Sequence, residues 1–490
     1  MRAISLVKKL EFQFSGNVSR NALTLGDVDN DGCNELVIGN DKGEVAIFKG
    51  KQKLQSITDL SFIACVAVGD IRNEGRNSLV IITADGWCYI YEVPSDESEE
   101  ITDKKNVDEV DGQGPSSNPP NTTTNTETQS SSESTLGNKN VGKKNELKNP
   151  LICVHVQRIP SNTKNIILDD VDGDGQIEMV LGLTDRVLRS YRFLKNIEKT
   201  ANEFVGEKHQ PEDKFLGKFV ALNKWECANQ IGSITTHHSY DGRPSILVAQ
   251  PGGTFMRIKC HAKHENPNQE QQRSINSETE PFPGSVDYQF LGISRMRNQN
   301  ISTEIIGDLK CRCKKNNNLA ITDQKSCPYA LATLDGSIML VQDEVILWAI
   351  AVDHQIFALT KLDVTGNGCD DIVVCSWDGQ TYILDQNKNS VRFHLEEPVR
   401  AFHSGWYNVD VDKPSVTALV YVTFKNSIII YYDIPLKDLI CKKFEPELAK
   451  LSELYISKDK TKEEALKHVQ NMDNKTRREL VEYLLYNAKC

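Results

Sequence analysis

Along most of the chain, apolar runs of four to seven residues alternate with polar loops that carry Asp-Gly pairs. Runs this short, rich in β-branched and aromatic residues and bounded by turn formers, predict strands rather than helices. One unit shows the plan: a strand at Ala22 to Leu25, an acidic loop, a strand at Glu35 to Gly39, a tight turn, and a strand at Glu44 to Phe48. The unit returns at a fixed interval. Gly26 to Gly69, Gly43 to Gly86 and Gly336 to Gly379 are each 43 residues apart, and Asp27–Gly43, Asp70–Gly86, Asp170–Arg186 and Asp363–Gly379 are each 16 apart. A period of 40 to 45 residues with several short strands predicts the blade of a propeller. Weaker copies at His237 to Gly253, Asp308 to Gly336 and Asp410 to Asn426 bring the count to seven. The predicted fold is all-β, a seven-bladed β-propeller. Its last unit lacks an outer strand after Ile434, while Leu6 to Phe14 alternates apolar Leu10, Phe12 and Phe14 with Glu11 and Gln13. That spare strand is expected to close the ring and remove an exposed edge.

The pattern breaks in five places. Residues 95–149 contain no aromatic residue and are dominated by Ser, Thr, Asn, Asp and Glu, which predicts a disordered insertion. Polar loops are expected at 196–213, 264–283 and 311–327. From 436 to 490 the leucines fall at helical spacing, and Thr461 with Glu464 forms a capping box, so the propeller of 1–435 is followed by a short α-helical tail.

Charge and composition narrow the class. Lysine and arginine number 57 against 68 acids, a net charge of −11 over 490 residues, which disfavours nucleic acid as a partner. The longest apolar run, Val345 to Val352, is far below the roughly 18 residues of a spanning helix, so no direct membrane insertion is expected. Thirteen irregularly spaced cysteines and a first segment without an apolar signal core predict a reduced, cytoplasmic setting.

Two loops carry chemistry. Asp27, Asp29, Asp31, Cys33 and Glu35, and again Asp170, Asp172, Asp174, Gln176 and Glu178, occupy positions 1, 3, 5, 7 and 9 around a glycine at position 6. Alternate carboxylates with a backbone carbonyl at position 7 make a cage for Ca2+ in a structural role. The same spacing also serves Asx-turns kept only for strand geometry. A sixth loop, Asp363, Thr365, Asn367 and Asp371, keeps the spacing with fewer charges and predicts weaker binding. In the second loop Arg72 holds position 3 and supplies a positive charge of its own, and His237 replaces the first aspartate of the fourth. Cys260, His261, His264, Cys311, Cys313 and Cys327 do not make the usual Cys-x-x-Cys zinc hairpin. Trp87 and Trp377, each beside an Asp-Gly turn, read as packing between blades. No nucleophile elbow, phosphate loop or His-Glu-x-x-His is present, so no catalytic residue is predicted.

The acidic loop, the Glu35-Leu36-Val37-Ile38-Gly39 strand and the Asp-Gly turn resemble the FG-GAP repeats of integrin alpha-chain propellers, whose loops bind calcium. Leu25 to Gly39, Asp353 to Leu359, Leu362 to Gly368, Trp377 to Ile383 and Tyr421 to Phe424 are more specifically similar to the integrin-alpha FG-GAP repeat-containing protein 2 family. That resemblance implies a non-catalytic subunit of the KICSTOR assembly, with kaptin and other KICSTOR subunits as partners. It further implies an indirect link to a GATOR GTPase-activating complex, recruitment from the cytoplasm to the lysosomal surface, and restraint of target-of-rapamycin signalling when nutrients are scarce. The contrasting readings are a metal-dependent propeller hydrolase, which needs convergent polar groups at the channel, and an integrin-like adhesion module, which needs secretion and disulfides.

Overall fold

The computed structural model describes residues 2–94, 150–195, 217–260, 285–290, 300–311, 326–410 and 412–434, with scattered positions from there to 482. The expected insertion at 95–149 lies outside these residues, as do most of the loops at 196–213, 264–283 and 311–327 and the capping residue Thr461. Contacts divide the chain into Met1–Leu439 and Ile440–Cys490.

The first unit is a ring of seven antiparallel sheets. Blade one spans Leu23 to Ile57, blade two Ile63 to Arg158, blade three Thr163 to Glu226 and blade four Ile234 to Phe290. Blade five spans Thr303 to Ala351, blade six Ile356 to His394, and blade seven begins at Val399 and ends at Tyr432. Within each blade the strands follow one another outward from the axis. The second strands, such as Ser78–Thr83, Glu178–Leu183 and Asp371–Ser376, are buried along their whole length, because neighbouring blades cover both faces. Outermost strands alternate instead: in Val345–Ala351 every second residue is exposed, so the longest apolar run is a strand at the rim.

Blade seven takes its fourth strand from the segment ahead of blade one. Lys9–Gln13 pairs antiparallel with Ser427–Tyr432 in the register Leu10↔Ile430 and Phe12↔Ile428, and Phe12 meets Phe48 of blade one with ring centroids 4.6 Å apart. The ring closes as the alternation predicted. An addition that the sequence did not signal is Arg2–Ala3, which pairs in parallel with Val391 and Arg392 on the rim of blade six.

The 43-residue glycine repeat has a physical cause. Gly336 and Gly379 sit at φ 92° and 89°, and a Cβ at either would lie 2.0 Å from the Val352 carbonyl oxygen or 2.2 Å from that of Leu395. Those crossover residues donate back-hydrogen bonds to the same glycines at 2.9 and 3.0 Å. The turn therefore needs both a left-handed backbone and an absent side chain. Blade three meets the first need with Arg186 at φ 70°. In the second unit a helix spans Lys462–Gln470, acidic in its first turn and basic in its last, as its macrodipole favours.

Candidate functional site

The acidic loops join the first and second strands of their blades, and the structure brings three of the four carboxylates of each together, those at positions 1, 3 and 9. Ligand-type oxygens of Asp27, Asp29 and Glu35 lie within 4.8 Å of one another, as do those of Asp170, Asp172 and Glu178. Asp27 caps its loop, accepting the Asp31 and Gly32 N–H at 3.1 and 2.9 Å. Asp31 Oδ1 accepts the Cys33 N–H at 2.9 Å, and Glu35 Oε2, wholly buried, accepts the Val28 N–H at 2.9 Å. The centre of the cage is filled by Lys49, at the end of the third strand. Its Nζ stands 2.6 Å from Asp29 Oδ2, 2.6 Å from Asp31 Oδ2 and 3.0 Å from Glu35 Oε1.

Loop three repeats the arrangement. Asp170 accepts the Gly173 and Gly175 N–H at 2.6 and 2.8 Å, Asp172 the Asp174 N–H at 3.3 Å, Asp174 the Gln176 N–H at 2.9 Å and Glu178 the Val171 N–H at 3.1 Å. The Arg192 guanidinium reaches the remaining oxygens: Asp172 Oδ2 at 3.2 Å, Asp174 Oδ2 at 2.8 Å, and Glu178 Oε1 through Nε at 2.7 Å. Burial raises the pKa of Glu35 and of Glu178 to about 7, partly offset by the Val28 or Val171 N–H and by the neighbouring cation. Burial works against the charge on Lys49 as well, yet its bonds to Asp29 and Asp31 hold its pKa above the ordinary value.

Blade two carries the same pair with the signs exchanged. Arg72 binds Glu92 Oε2 at 2.7 Å and Glu74 at 2.9 Å, Ser78 in place of a buried glutamate donates to Glu92 Oε1 at 2.6 Å, and Lys195 joins Glu74 at 2.9 Å. In loop six, Asp363 accepts the Asn367 and Gly368 N–H at 3.1 and 2.8 Å, Asn367 accepts the Cys369 N–H at 2.7 Å, and buried Asp371 accepts the Val364 and Thr365 N–H at 3.0 and 3.2 Å. Burial raises Asp371 to about 7.

Lys49, Arg192 and Glu92 each stand 20 residues after position 3 of their loop, which is Asp29, Asp172 and Arg72 respectively. Sequence reading missed Lys49 and Arg192. The signal was available in the Arg72–Glu92 pair, whose spacing the other two share with opposite sign. Cys33 and Gln176, at position 7, donate their N–H to Asp31 and Asp174. His237 is buried with Nδ1 3.1 Å from Asp308 and, among the described residues, joins neither group of carboxylates. Trp377 stacks on Phe357 of its own blade at 4.1 Å and reaches Phe424 of blade seven at 6.4 Å, and Trp87 lies under Arg158 of its own blade at 5.1 Å.

The innermost strands surround a central cavity of about 510 Å³. Cations lining it tie blades together: Arg20, ahead of blade one, reaches across to Glu304 of blade five at 3.2 Å and the Phe357 carbonyl of blade six at 2.7 Å, Lys164 donates to the Ile231 carbonyl at 2.5 Å, and Lys361 to the Gly307 and Asp308 carbonyls at 2.8 Å. Thr360 and Ser404 share a hydrogen bond at 2.8 Å.

A family model described as Integrin-alpha FG-GAP repeat-containing protein 2 matches residues 51–436. The chain belongs to this family. Relatives of this integrin-alpha FG-GAP repeat-containing protein 2 family include the mouse (Mus musculus) KICSTOR complex protein ITFG2, 34% identical over 444 residues that cover 89% of this chain and 86% of the relative. The Bos taurus KICSTOR complex protein ITFG2 is 32% identical over 89% of this chain and 72% of the relative. Among solved structures, crystals of BBS1N in complex with ARL6DN, soaked with mercury or with lead, share the fold at TM-scores of 0.51 and 0.50 with 13% identity. They cover 89% and 90% of this chain and 98% and 100% of the matched chains. Among the described residues no helix is long and apolar enough to cross a membrane.

Proposed function

We propose that this protein is a non-catalytic scaffold subunit of a KICSTOR complex, which helps hold a GATOR complex at the lysosomal surface and restrains target-of-rapamycin signalling during nutrient deprivation. The observation that carries the proposal is the 34% identity over 89% of the chain to a protein named as a KICSTOR complex protein. The architecture supports it. A scaffold needs rigid surfaces, and here the charged groups of the channel and of the loops are engaged in tying strand to strand and blade to blade. Its partners are kaptin and the other KICSTOR subunits, with GATOR reached indirectly.

Capture of the tagged full-length protein from nutrient-starved cells, followed by mass spectrometry, tests the proposal. Kaptin and GATOR subunits should co-purify, and the protein should move to lysosomes on starvation. Recovery of extracellular proteins alone, or of none, would remove the assignment.

A further inference from the structure

The loop resemblance implies calcium, and the donor set can be checked oxygen by oxygen. In loop three all eight oxygens of Asp170, Asp172, Asp174 and Glu178 already have a partner, either a backbone N–H of the loop or the Arg192 guanidinium. In loop one the backbone and Lys49 engage seven of the eight oxygens of Asp27, Asp29, Asp31 and Glu35. Glu35 Oε1 is among them through an ion pair with Lys49 that is not aligned as a hydrogen bond, and Asp29 Oδ1 is left buried without a donor. Calcium takes six to eight oxygens at 2.3 to 2.6 Å. A second cation placed where those carboxylates converge would stand a few ångströms from an ammonium or guanidinium, a strongly repulsive distance in a poorly solvated site. The residues present do not fit the ion.

We infer that blades one and three are closed by cations tethered to their own third strands, Lys49 and Arg192, which occupy the place that calcium holds in acidic loops of this spacing. Blade two is the same device with its charges exchanged, since Arg72 and Glu92 stand at the loop and third-strand positions that Asp29 and Lys49 fill in blade one. A bound ion could not survive such an exchange, but an ion pair between two side chains does. The exchange therefore identifies the contact between position 3 and the third strand, rather than a metal, as the feature that the blades share. The propeller's geometry becomes independent of divalent ions, and loops one and three are each one substitution away from a metal site.

Equilibrium dialysis with calcium and thermal melts of the full chain test this. In wild type, any calcium uptake should be unchanged by Asp29→Asn or Asp172→Asn, and chelator should leave the melting temperature where it is. Lys49→Ala should melt lower, gain one bound calcium, and recover part of its melting temperature when calcium is added. A charge exchange gives a second readout that needs no metal: Lys49→Glu should melt lower than wild type, and adding Asp29→Arg should restore part of the loss. Uptake by wild type that Asp29→Asn or Asp172→Asn abolishes, a folded Lys49→Ala that takes up no calcium, or no rescue in the exchanged pair would each overturn the inference.

Discussion

The closing strand lends itself to a test in which two adjacent substitutions differ chiefly in the direction of a backbone N–H. Phe14 N–H donates to the Asn426 carbonyl at 3.0 Å, and Tyr432 N–H to the Lys8 carbonyl at 3.2 Å. In an antiparallel pair hydrogen-bonded and non-bonded residue pairs alternate. The register therefore makes Leu10↔Ile430 and Phe12↔Ile428 bonded pairs, while the N–H of Glu11 faces away from blade seven. Leu10→Pro removes a ladder bond, a net loss of about 1 kcal/mol, and leaves the Ile430 carbonyl unpaired beside a side chain with no exposed surface, a further 1 kcal/mol or more. Reduced contact of the half-buried Leu10 with the core adds roughly 1 kcal/mol. The sum of about 3 kcal/mol corresponds to a fall of about 5 °C in a chain of this size. Glu11→Pro loses a half-buried hydrogen bond from Ser427 at 3.3 Å and an exposed ion pair with Lys9 at 3.5 Å but no ladder bond, so it should cost about 1 kcal/mol. Differential scanning fluorimetry of the two full-length variants decides the matter. Equal melts, or a larger loss for Glu11→Pro, would refute the register and with it the role of this strand in closing the ring.

Glycine substitutions should separate backbone conformation from steric room. Gly336→Ala, at φ 92° with a carbonyl oxygen 2.0 Å from the new Cβ, should cost several times the roughly 1 kcal/mol of Gly175→Ala, which has φ 85° and open space, as read from denaturant midpoints. Burial works against the Asp308 carboxylate, but His237, the His238 backbone N–H at 2.8 Å and the His238 ring at 2.6 Å hold its pKa well below the ordinary value. A depressed carboxylate stabilises the fold above its unfolded pKa near 4 and loses that contribution as pH falls. Asp308→Asn should therefore melt below wild type at pH 7, and melts repeated toward pH 3 should show the gap narrowing. Val345 and Leu347 expose 62% and 47% of their surface on a rim strand without a charged residue. Lysines at both positions should reduce self-association in light scattering with little change in the melt.

The blades were legible because their chemistry is local and repeated. Gly43, Gly86, Gly336 and Gly379 each answer a left-handed turn that also meets a crossover carbonyl, so the period of the fold is printed in the period of one residue type. The closing strand was legible from alternation alone, since Leu10, Phe12 and Phe14 need a covered face wherever the chain places them. Arg2–Ala3 was not, because two residues cannot carry a period. The loops were half legible. Three of the four carboxylates in each of loops one and three stand together, but the groups that answer them lie 20 residues beyond position 3, at the far end of strands that read simply as apolar runs with a terminal or embedded base. Only the pairing of strands brings Lys49 and Arg192 back over the loops.

The segment that closes the ring leaves the ribosome long before the strand it will join. Lys9 faces Tyr431 across the final ladder, so more than four hundred residues must be synthesised before the closing strand meets its partner. Until then Leu10, Phe12 and Phe14 have nowhere to dock, and blade one waits for the blade seven surface that covers it in the finished ring. A contact of such sequence separation forms late and slowly. During translation the nascent chain therefore presents an apolar strand at one end and an open sheet edge at the other, the two features that invite pairing with another copy. Chaperone dependence should accordingly be greatest just before the last blade leaves the ribosome. A bulky fusion placed ahead of residue 1 should act on the yield of folded protein before it affects anything the folded protein does.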